Sequence, residues 1–319
     1  MDNKKQSELK IFQLAFDRNT YKSFQHRDKP DFWVESIFKQ TFYGVEVTEL
    51  FISETDARLD KISDYADELL GKGNYRHKDD IKRLDVSEII FESPDGERIT
   101  VPAIRVESIT FAEYRKLIGK RIAEKDSQFV NYAKELKFSF LIIRDKTKIF
   151  RNRKLEDFYN TFFNDDLIGQ IVRSNFRELF LVIEIESKLF KVPLKGMILL
   201  SKLYFFEQVL NEKKFEDEDE LGLYDFLKLF SQFLIYEGYS EVFIERVEDE
   251  IVLFCGCWGV TILNNKVTVR DHTTFEPDFS SMEEIKCKDL DVETKKIIET
   301  IRGKFGFRTG FAFELTEER

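Results

Sequence analysis

Two acidic residues stand where neighbouring strands would bring them together. Asp31 follows Pro30 at the start of an aromatic and β-branched run, and Glu46 lies between Val45 and Val47 in the next such run. A carboxylate among valines in a buried strand is costly unless a cation or a hydrogen bond offsets it. Two converging carboxylates would offer hard oxygen ligands to Mg²⁺ or Mn²⁺. The alternative is that Asp31 caps a turn and Glu46 pairs with a nearby Lys or Arg.

The elements that must position these acids are a hairpin and a helix before it. Residues Asp31–Ile37 and Tyr43–Leu50 have the composition of strands, and we expect a polar turn around Lys39–Thr41 between them. If they pair, the two acids lie at the same open end. An apolar stripe from Ser7 to Phe24 predicts the helix, with Ser7 as N-cap and Glu8 in the first turn.

This arrangement resembles the PD-(D/E)-x-K nuclease superfamily, whose fold is restriction-endonuclease-like. Pro30-Asp31 matches the first part of the signature and Glu46-Val47-Thr48 the second, with Thr48 in the position of the motif lysine. The resemblance implies metal-dependent DNA cleavage, with Asp31 and Glu46 holding the metal. It also implies an additional metal-linked acid on the preceding helix, for which Glu8 is the candidate. The alternative for Glu8 is a partner of the helix dipole.

A second predicted helix, Phe111–Ala133, carries candidate cations. Phosphodiester cleavage needs a positive charge against the phosphate, and Lys120 or Lys125 could supply it in place of the motif lysine. Gln128 and Tyr132 match Q-x-x-x-Y, a further motif in one branch of the same superfamily. The resemblance implies that they bind the scissile strand or orient the lysine. The alternative for both lysines is an exposed helix face.

The pattern of elements predicts an α/β fold with a restriction-endonuclease-like mixed sheet flanked by helices. We assign it to residues 1–190, with an insertion at about 54–110. The further elements predicted for this part are a helix Thr55–Gly71, a hairpin around Pro94-Asp95-Gly96, strands Lys137–Ile143 and Leu179–Ile185, and a helix Leu155–Phe176 broken near Asn164-Asp165.

Residues 191–319 predict a second, α+β domain for interaction or oligomerisation. Helices Leu194–Asn211 and Leu221–Tyr236 carry more apolar residues than one amphipathic stripe requires, which predicts a homo-oligomer, specifically a dimer. The acidic loop Glu216–Glu220 would repel DNA and should lie away from the acid pair. The other expected elements are strands Glu241–Glu245 and Glu250–Phe254, a hairpin at Asn264-Asn265, a helical turn Glu283–Lys286, a helix Asp291–Lys304 and a strand Arg308–Leu315.

Composition favours a cytoplasmic protein. The 319 residues are 42% hydrophobic and 34% charged, with a net charge of −10, and no apolar run approaches the ~20 residues of a membrane span. The polar N-terminus predicts no signal peptide. Cys255, Cys257 and Cys287 are too few for a four-ligand zinc site unless His272 joins them, so buried reduced thiols are expected.

Two functions follow from these observations. The resemblance implies a metal-dependent DNA endonuclease of a bacterial or phage defence or counter-defence system. The alternative is a catalytically inactive nuclease-fold protein that docks a protein partner through its acidic second half. Thr48 favours the alternative, whereas the acid pair and the ordered helix favour the nuclease.

Overall fold

The chain folds into helices packed on a mixed sheet, with a second sheet and a separate hairpin. The computed structural model describes residues 3–37, 41–132, 134–212, 222–247, 250–263, 266–271, 279–286 and 290–304. Within them the helices are α1 (Asn3–Ala15), α2 (Glu54–Lys61), α3 (Tyr65–Lys72), α4 (Asp80–Arg83), α5 (Phe111–Phe129), α6 (Leu155–Phe162), α7 (Asp165–Arg173), α8 (Leu194–Glu212), α9 (Leu223–Tyr236) and α10 (Val292–Lys304). The strands are β1 (Tyr21–His26), β2 (Phe32–Ser36), β3 (Phe42–Leu50), β4 (Asp85–Glu92), β5 (Arg98–Arg105), β6 (Ser139–Asp145), β7 (Glu178–Ile185), β8 (Lys188–Pro193), β9 (Val242–Val247), β10 (Glu250–Cys255), β11 (Trp258–Leu263), β12 (Lys266–Asp271) and β13 (Glu283–Glu284).

The main sheet has the strand order β1-β2-β3-β6-β7-β8. Strands β1 to β3 form an antiparallel meander, β3, β6 and β7 are parallel, and β8 runs antiparallel to β7. The α/β class and the mixed sheet flanked by helices are therefore confirmed, as is the β2–β3 hairpin. Of its predicted turn, Lys39 and Gln40 lie outside the described residues.

The two faces of the main sheet bury different side chains because alternate residues of a strand point to opposite sides. Tyr43, Val45 and Val47 of β3 join the apolar face of α1, whose aromatic residue Phe12 is fully buried. Leu50 belongs to the opposite face, which α5, α6 and α7 cover. By this alternation Glu46 and Thr48 share the face of Leu50, towards α5.

The second sheet has the order β12-β11-β10-β9-β13 and packs on α9. One apolar cluster runs from the α5 face of the main sheet through α8 and α9 to β9, β10 and α10. The predicted boundary near residue 190 falls inside β8, a strand of the main sheet. The apolar surface of α8 contacts α7, α10, β7 and β8, so the chain itself covers much of the surface that suggested a dimer.

Several predicted boundaries are wrong. Helix α1 starts at Asn3 and ends at Ala15, so Ser7 is no N-cap and Glu8 lies beyond the first turn. Tyr21–His26 is a strand, because Asp17 caps a short 3₁₀ turn that ends the helical run. The helix predicted from Thr55 starts after the cap Ser53 and breaks where Asp64 adopts φ 61°.

Other elements agree or differ by a few residues. The break before α7 is confirmed, with Asn164 as its N-cap, and α5 ends at Phe129 rather than Ala133. Glu283–Glu284 pairs with β9 instead of forming a helical turn. No helix in the described part of the chain is both long and apolar enough to span a bilayer. Outside the described residues lie Ala133, Glu216–Glu220, Asn264-Asn265, His272, Cys287 and Arg308–Leu315.

Candidate functional site

Close packing of the chain just before β2 positions Asp31. A Cβ atom at Gly44 would lie 2.6 Å from Pro30 Cγ and 2.5 Å from Ser139 Oγ, so the glycine lets Pro30 press against β3. The Asp31 carboxylate then accepts a 2.8 Å hydrogen bond from the backbone N–H of Val47. Asp31 is thereby tied to β3 rather than left at the end of a loop.

The register of the hairpin brings the two acids together. Phe32 pairs with Val45 at the end of the β2–β3 ladder, and Asp31 comes one residue beyond this pair, on the side of Glu46. The charge of Glu46 raises the pKa of Asp31, so the two carboxyls lie within electrostatic reach of each other. Both acids are buried, with 8% and 5% of their surfaces exposed.

Helix α5 brings a lysine to this acid pair. Lys125 Nζ lies 2.6 Å from Glu46 Oε1, and the two side chains are 17% and 7% exposed. Lys120, in contrast, is 75% exposed and lies 3.9 Å from Glu124 on its own helix. The structure thus places Lys125, and not Lys120, beside the acids, on the same face as Thr48.

The electrostatics of Asp31 are unfavourable. Burial raises the pKa of Asp31 to about 7, and the charge of Glu46 adds to this shift. The hydrogen bond from Val47 and the charge of Lys125 lower the pKa of Asp31 but do not cancel the shift. An added positive charge would relieve this pair.

Glu8 lies at the border of the site, held by two bases. Its carboxylate is 2.8 Å from His26 Nε2 and 3.3 Å from Lys4 Nζ. The charge of Glu8 is a further cause that raises the pKa of Asp31. The pKa of Lys4 is raised mainly by Glu8, and also by Asp31 and Glu46, so Lys4 lies within electrostatic reach of all three acids.

The Q-x-x-x-Y residues divide between surface and interior. Gln128 is exposed near the end of α5. Tyr132 follows the helix, and its buried hydroxyl lies beside Glu46. Burial raises the pKa of Tyr132, and the nearby charge of Glu46 is the next cause. Tyr132, and not Gln128, therefore borders the acid pair.

The arrangement can hold a cation through two carboxylates. No three His, Cys, Asp or Glu side chains of the described residues are placed to hold a metal together. A Mg²⁺ ion in proteins is often held by one or two carboxylates, with water and substrate phosphate completing the octahedron. Burial and the charge of Glu46 both raise the pKa of Asp31, so a positive charge beside the two acids would lower it.

Sequence reasoning missed Lys4 and His26. His26 ends β1, a strand whose alternation is weak, and a lysine near a chain start carries no signal of its own.

The expectation of buried reduced thiols is confirmed for Cys255 and Cys257. Burial raises the pKa of Cys255 to about 12.

Comparison with known proteins found no matching family model, no similar curated protein and no similar solved structure. A functional assignment therefore has to start from the residues and geometry of this chain.

Proposed function

We propose that this protein is a metal-dependent nuclease that hydrolyses phosphodiester bonds in DNA, with a restriction-endonuclease-like main sheet. The observation that carries the proposal is the contact of Lys125 with Glu46, within electrostatic reach of Asp31. Asp31, Glu46 and Lys125 together provide the two acids and the cation of the motif, and they come from three separate segments of the chain. The Pro30-Asp31 signature supports the same proposal, and a role in defence or counter-defence rests on the resemblance alone.

Lys125 compensates for Thr48 in this proposal. Position 48 of β3 faces α5, and Lys125 extends from that helix towards Glu46, two residues before Thr48. An ammonium group in a largely buried site interacts more strongly with a phosphate than it would in water. Lys125 would thus stabilise negative charge that develops on the phosphate oxygens.

The acids and the tyrosine have separate tasks. Asp31 and Glu46 would hold Mg²⁺ or Mn²⁺, which when bound polarises the phosphate and lowers the pKa of its water. Val47 keeps the Asp31 carboxylate in place through its N–H. Tyr132 Oη, buried beside Glu46, would donate to the substrate phosphate or its water. Glu8 would act through the charge balance of Asp31.

Cleavage of supercoiled plasmid and of a labelled linear duplex tests the proposal. We expect nicking or linearisation with Mg²⁺ or Mn²⁺ and none with EDTA. Asp31→Asn should abolish it, whereas Lys120→Ala, on the exposed part of α5, should not. Metal-independent cleavage, or full activity of Asp31→Asn, would contradict the proposal.

The second candidate is a catalytically inactive protein of the same fold that docks a protein partner. It is favoured by Thr48 in the lysine position and by the β4–β5 hairpin, which exposes large apolar side chains on both strands, including Ile90 and Phe91 at 62% and 55%. A folded wild type without cleavage on any DNA tested would favour this candidate. Deletion of the acidic segment Glu216–Glu220 would then be the first variant to test for loss of partner binding.

Homodimerisation is a separate proposal. It rests on the apolar excess of α8, where Tyr204 is 48% exposed. Light scattering at micromolar concentration should give twice the chain mass of 38.0 kDa. A clean monomer would leave intrachain packing as the full explanation of these helices.

A further inference from the structure

A cavity of about 510 Å³ lies between the main sheet and the second sheet, and Asp31, Glu46 and Lys125 are not among its described lining residues. Its walls come from the segment between α7 and β7, the start of α8, the segment before β9 and the turn between β10 and β11. The volume lies within the range of small-molecule sites. Residues from both sheets line the cavity, so it lies at the interface between the sheets and has room for a ligand.

The main polar group in this cavity is an arginine without adequate partners. The side chain of Arg177 is 3% exposed, yet its Nε and Nη1 atoms have no hydrogen-bond partner among the described residues. Nη2 donates to the Gly256 carbonyl at 3.3 Å, and the guanidinium lies 4.3 Å from the centre of the Phe138 ring. The nearest carboxylate, of the half-exposed Glu241, is 3.7 Å from Nε. A guanidinium buried with unused donors is costly, so its geometry points to an anionic ligand.

Most of the other charged side chains that line the cavity are also positive. Lys137, Arg173 and Lys195 also line it, and Glu241 is the acid among the described lining residues. Lys195 Nζ donates to the Ser174 carbonyl at 2.9 Å, which uses one of its three donors. The balance of the lining therefore favours an anion with more than one oxygen acceptor.

The remaining wall is aromatic and contains a second unpaired donor. Phe129, Phe176 and Trp258 line the cavity, and so does Tyr239, whose buried hydroxyl has no hydrogen-bond partner in the described chain. Aromatic faces suit a flat ring of the ligand, and the hydroxyl suits a polar edge. A phosphate alone would leave this wall without contacts.

We propose that this cavity binds a small organic phosphate of the mononucleotide class, with the phosphate on the Arg177 guanidinium and the ring against the aromatic wall. Arginine presents a fork of donors that matches phosphate oxygens in pairs. The site is independent of cleavage at Asp31 and goes beyond the proposed nuclease function. It would bind without a divalent metal.

Calorimetric titration of the full chain in EDTA tests this proposal, with adenosine 5′-monophosphate, adenosine and inorganic phosphate as probes. We expect the monophosphate to bind with a Kd on the order of 10–100 μM and adenosine at least about tenfold more weakly. Inorganic phosphate should also be weaker, because it leaves the aromatic wall unused. Asp31→Asn should bind the monophosphate as the wild type does, which separates this site from the nuclease site.

Two variants test the contacts that Arg177 and Tyr239 would make with the monophosphate. Arg177→Gln should weaken the monophosphate about tenfold or more, and Arg151→Gln, which removes an arginine paired with Glu184, is the matched control. Tyr239→Phe keeps the ring and removes an unpaired hydroxyl, so it should weaken binding about threefold without lowering the melting temperature. The proposal is overturned if the monophosphate binds no better than adenosine, or if Tyr239→Phe and a folded Arg177→Gln both bind it as the wild type does. Absence of monophosphate binding at millimolar concentration would also overturn it.

Discussion

Asp31 and Glu178 are two buried carboxyls whose pKa burial raises to about 7, but their surroundings differ. Glu178 accepts hydrogen bonds from the backbone N–H groups of Leu179, Lys195 and Gly196 and from Trp258 Nε1, at 2.7–3.0 Å. Asp31 accepts one from Val47 among the described residues and lies within electrostatic reach of Glu46.

The difference separates a structural acid from a functional candidate. Glu178 connects β7 to the start of α8 and to the second sheet, and Gly196 admits Trp258, whose ring a Cβ there would meet at 2.3 Å. Its oxygens are already used. Asp31 has a like charge across the strand and spare acceptor capacity, which a cation would satisfy. Burial and pKa alone do not distinguish the two acids, whereas their hydrogen-bond donors and neighbouring charges do.

The largest expected difference is in cleavage. Asp31→Asn should lower the rate about 1,000-fold, because a neutral amide is a poor ligand for a divalent cation. Glu178→Gln, assayed well below its own melting temperature, should keep the rate per folded molecule within about threefold. Gel assays of initial rates with Mn²⁺ measure both. Equal losses in the two variants would end the distinction.

The next effect concerns the cation supplied by α5. Lys125→Met should lower cleavage about 100-fold, since charge next to the phosphate is lost while the packing of the side-chain stem is kept. Lys120→Met is the matched control on the same helix, because that lysine is 75% exposed. Similar rates for the two variants would show that Lys125 only neutralises Glu46.

At pH 8 the free energy of unfolding should rise in Asp31→Asn and fall in Glu178→Gln. A carboxyl whose pKa is raised on folding binds protons more tightly in the folded state, so its contribution to stability falls as pH rises from about 4 to 7. Asp31→Asn removes this cost and should raise the free energy of unfolding by about 1–3 kcal/mol at pH 8, and by little at pH 4.

Glu178→Gln should instead lower the free energy of unfolding by about 2–4 kcal/mol, because its amide NH₂ would face N–H groups that now donate to the acid. Urea unfolding in EDTA at both pH values provides these numbers. Destabilisation by Asp31→Asn at pH 8 would mean that Asp31 is a structural acid like Glu178.

The smallest effect is a thermal shift. Millimolar Mg²⁺ should raise the melting temperature by a few degrees at pH 8, because ligand binding stabilises the folded state. The shift should be smaller at pH 5.5, where protonated Asp31 competes with the cation, and absent in Asp31→Asn. Glu178→Gln should retain it. Scanning fluorimetry at fixed ionic strength, with Na⁺ as control, separates this from salt screening.

Local sequence determined much of the secondary structure. The aromatic and β-branched runs of β2 and β3, the apolar runs of β6 and β7 and the Asn164 cap before α7 are short-range signals, and the structure contains all of these elements. The hairpin alone was enough to align Asp31 with Glu46, because the period of a strand fixes which residues share a face. The helix bounds near Ser7 and Asp64 were wrong since caps and breaks depend on a few backbone angles.

Tertiary structure alone decided which side chains meet across long separations. Lys125 and Lys120 lie on one helix with equal local signals, and only the packing of α5 on β3 brings the former to Glu46. The cavity around Arg177 likewise joins segments that no motif connects, because its second wall comes from another sheet. The chain by itself could specify strands and their facing residues, which depend on neighbours in sequence. Contacts between elements depend on how whole faces pack. The local sequence pattern does not show which individual residues will meet in such contacts.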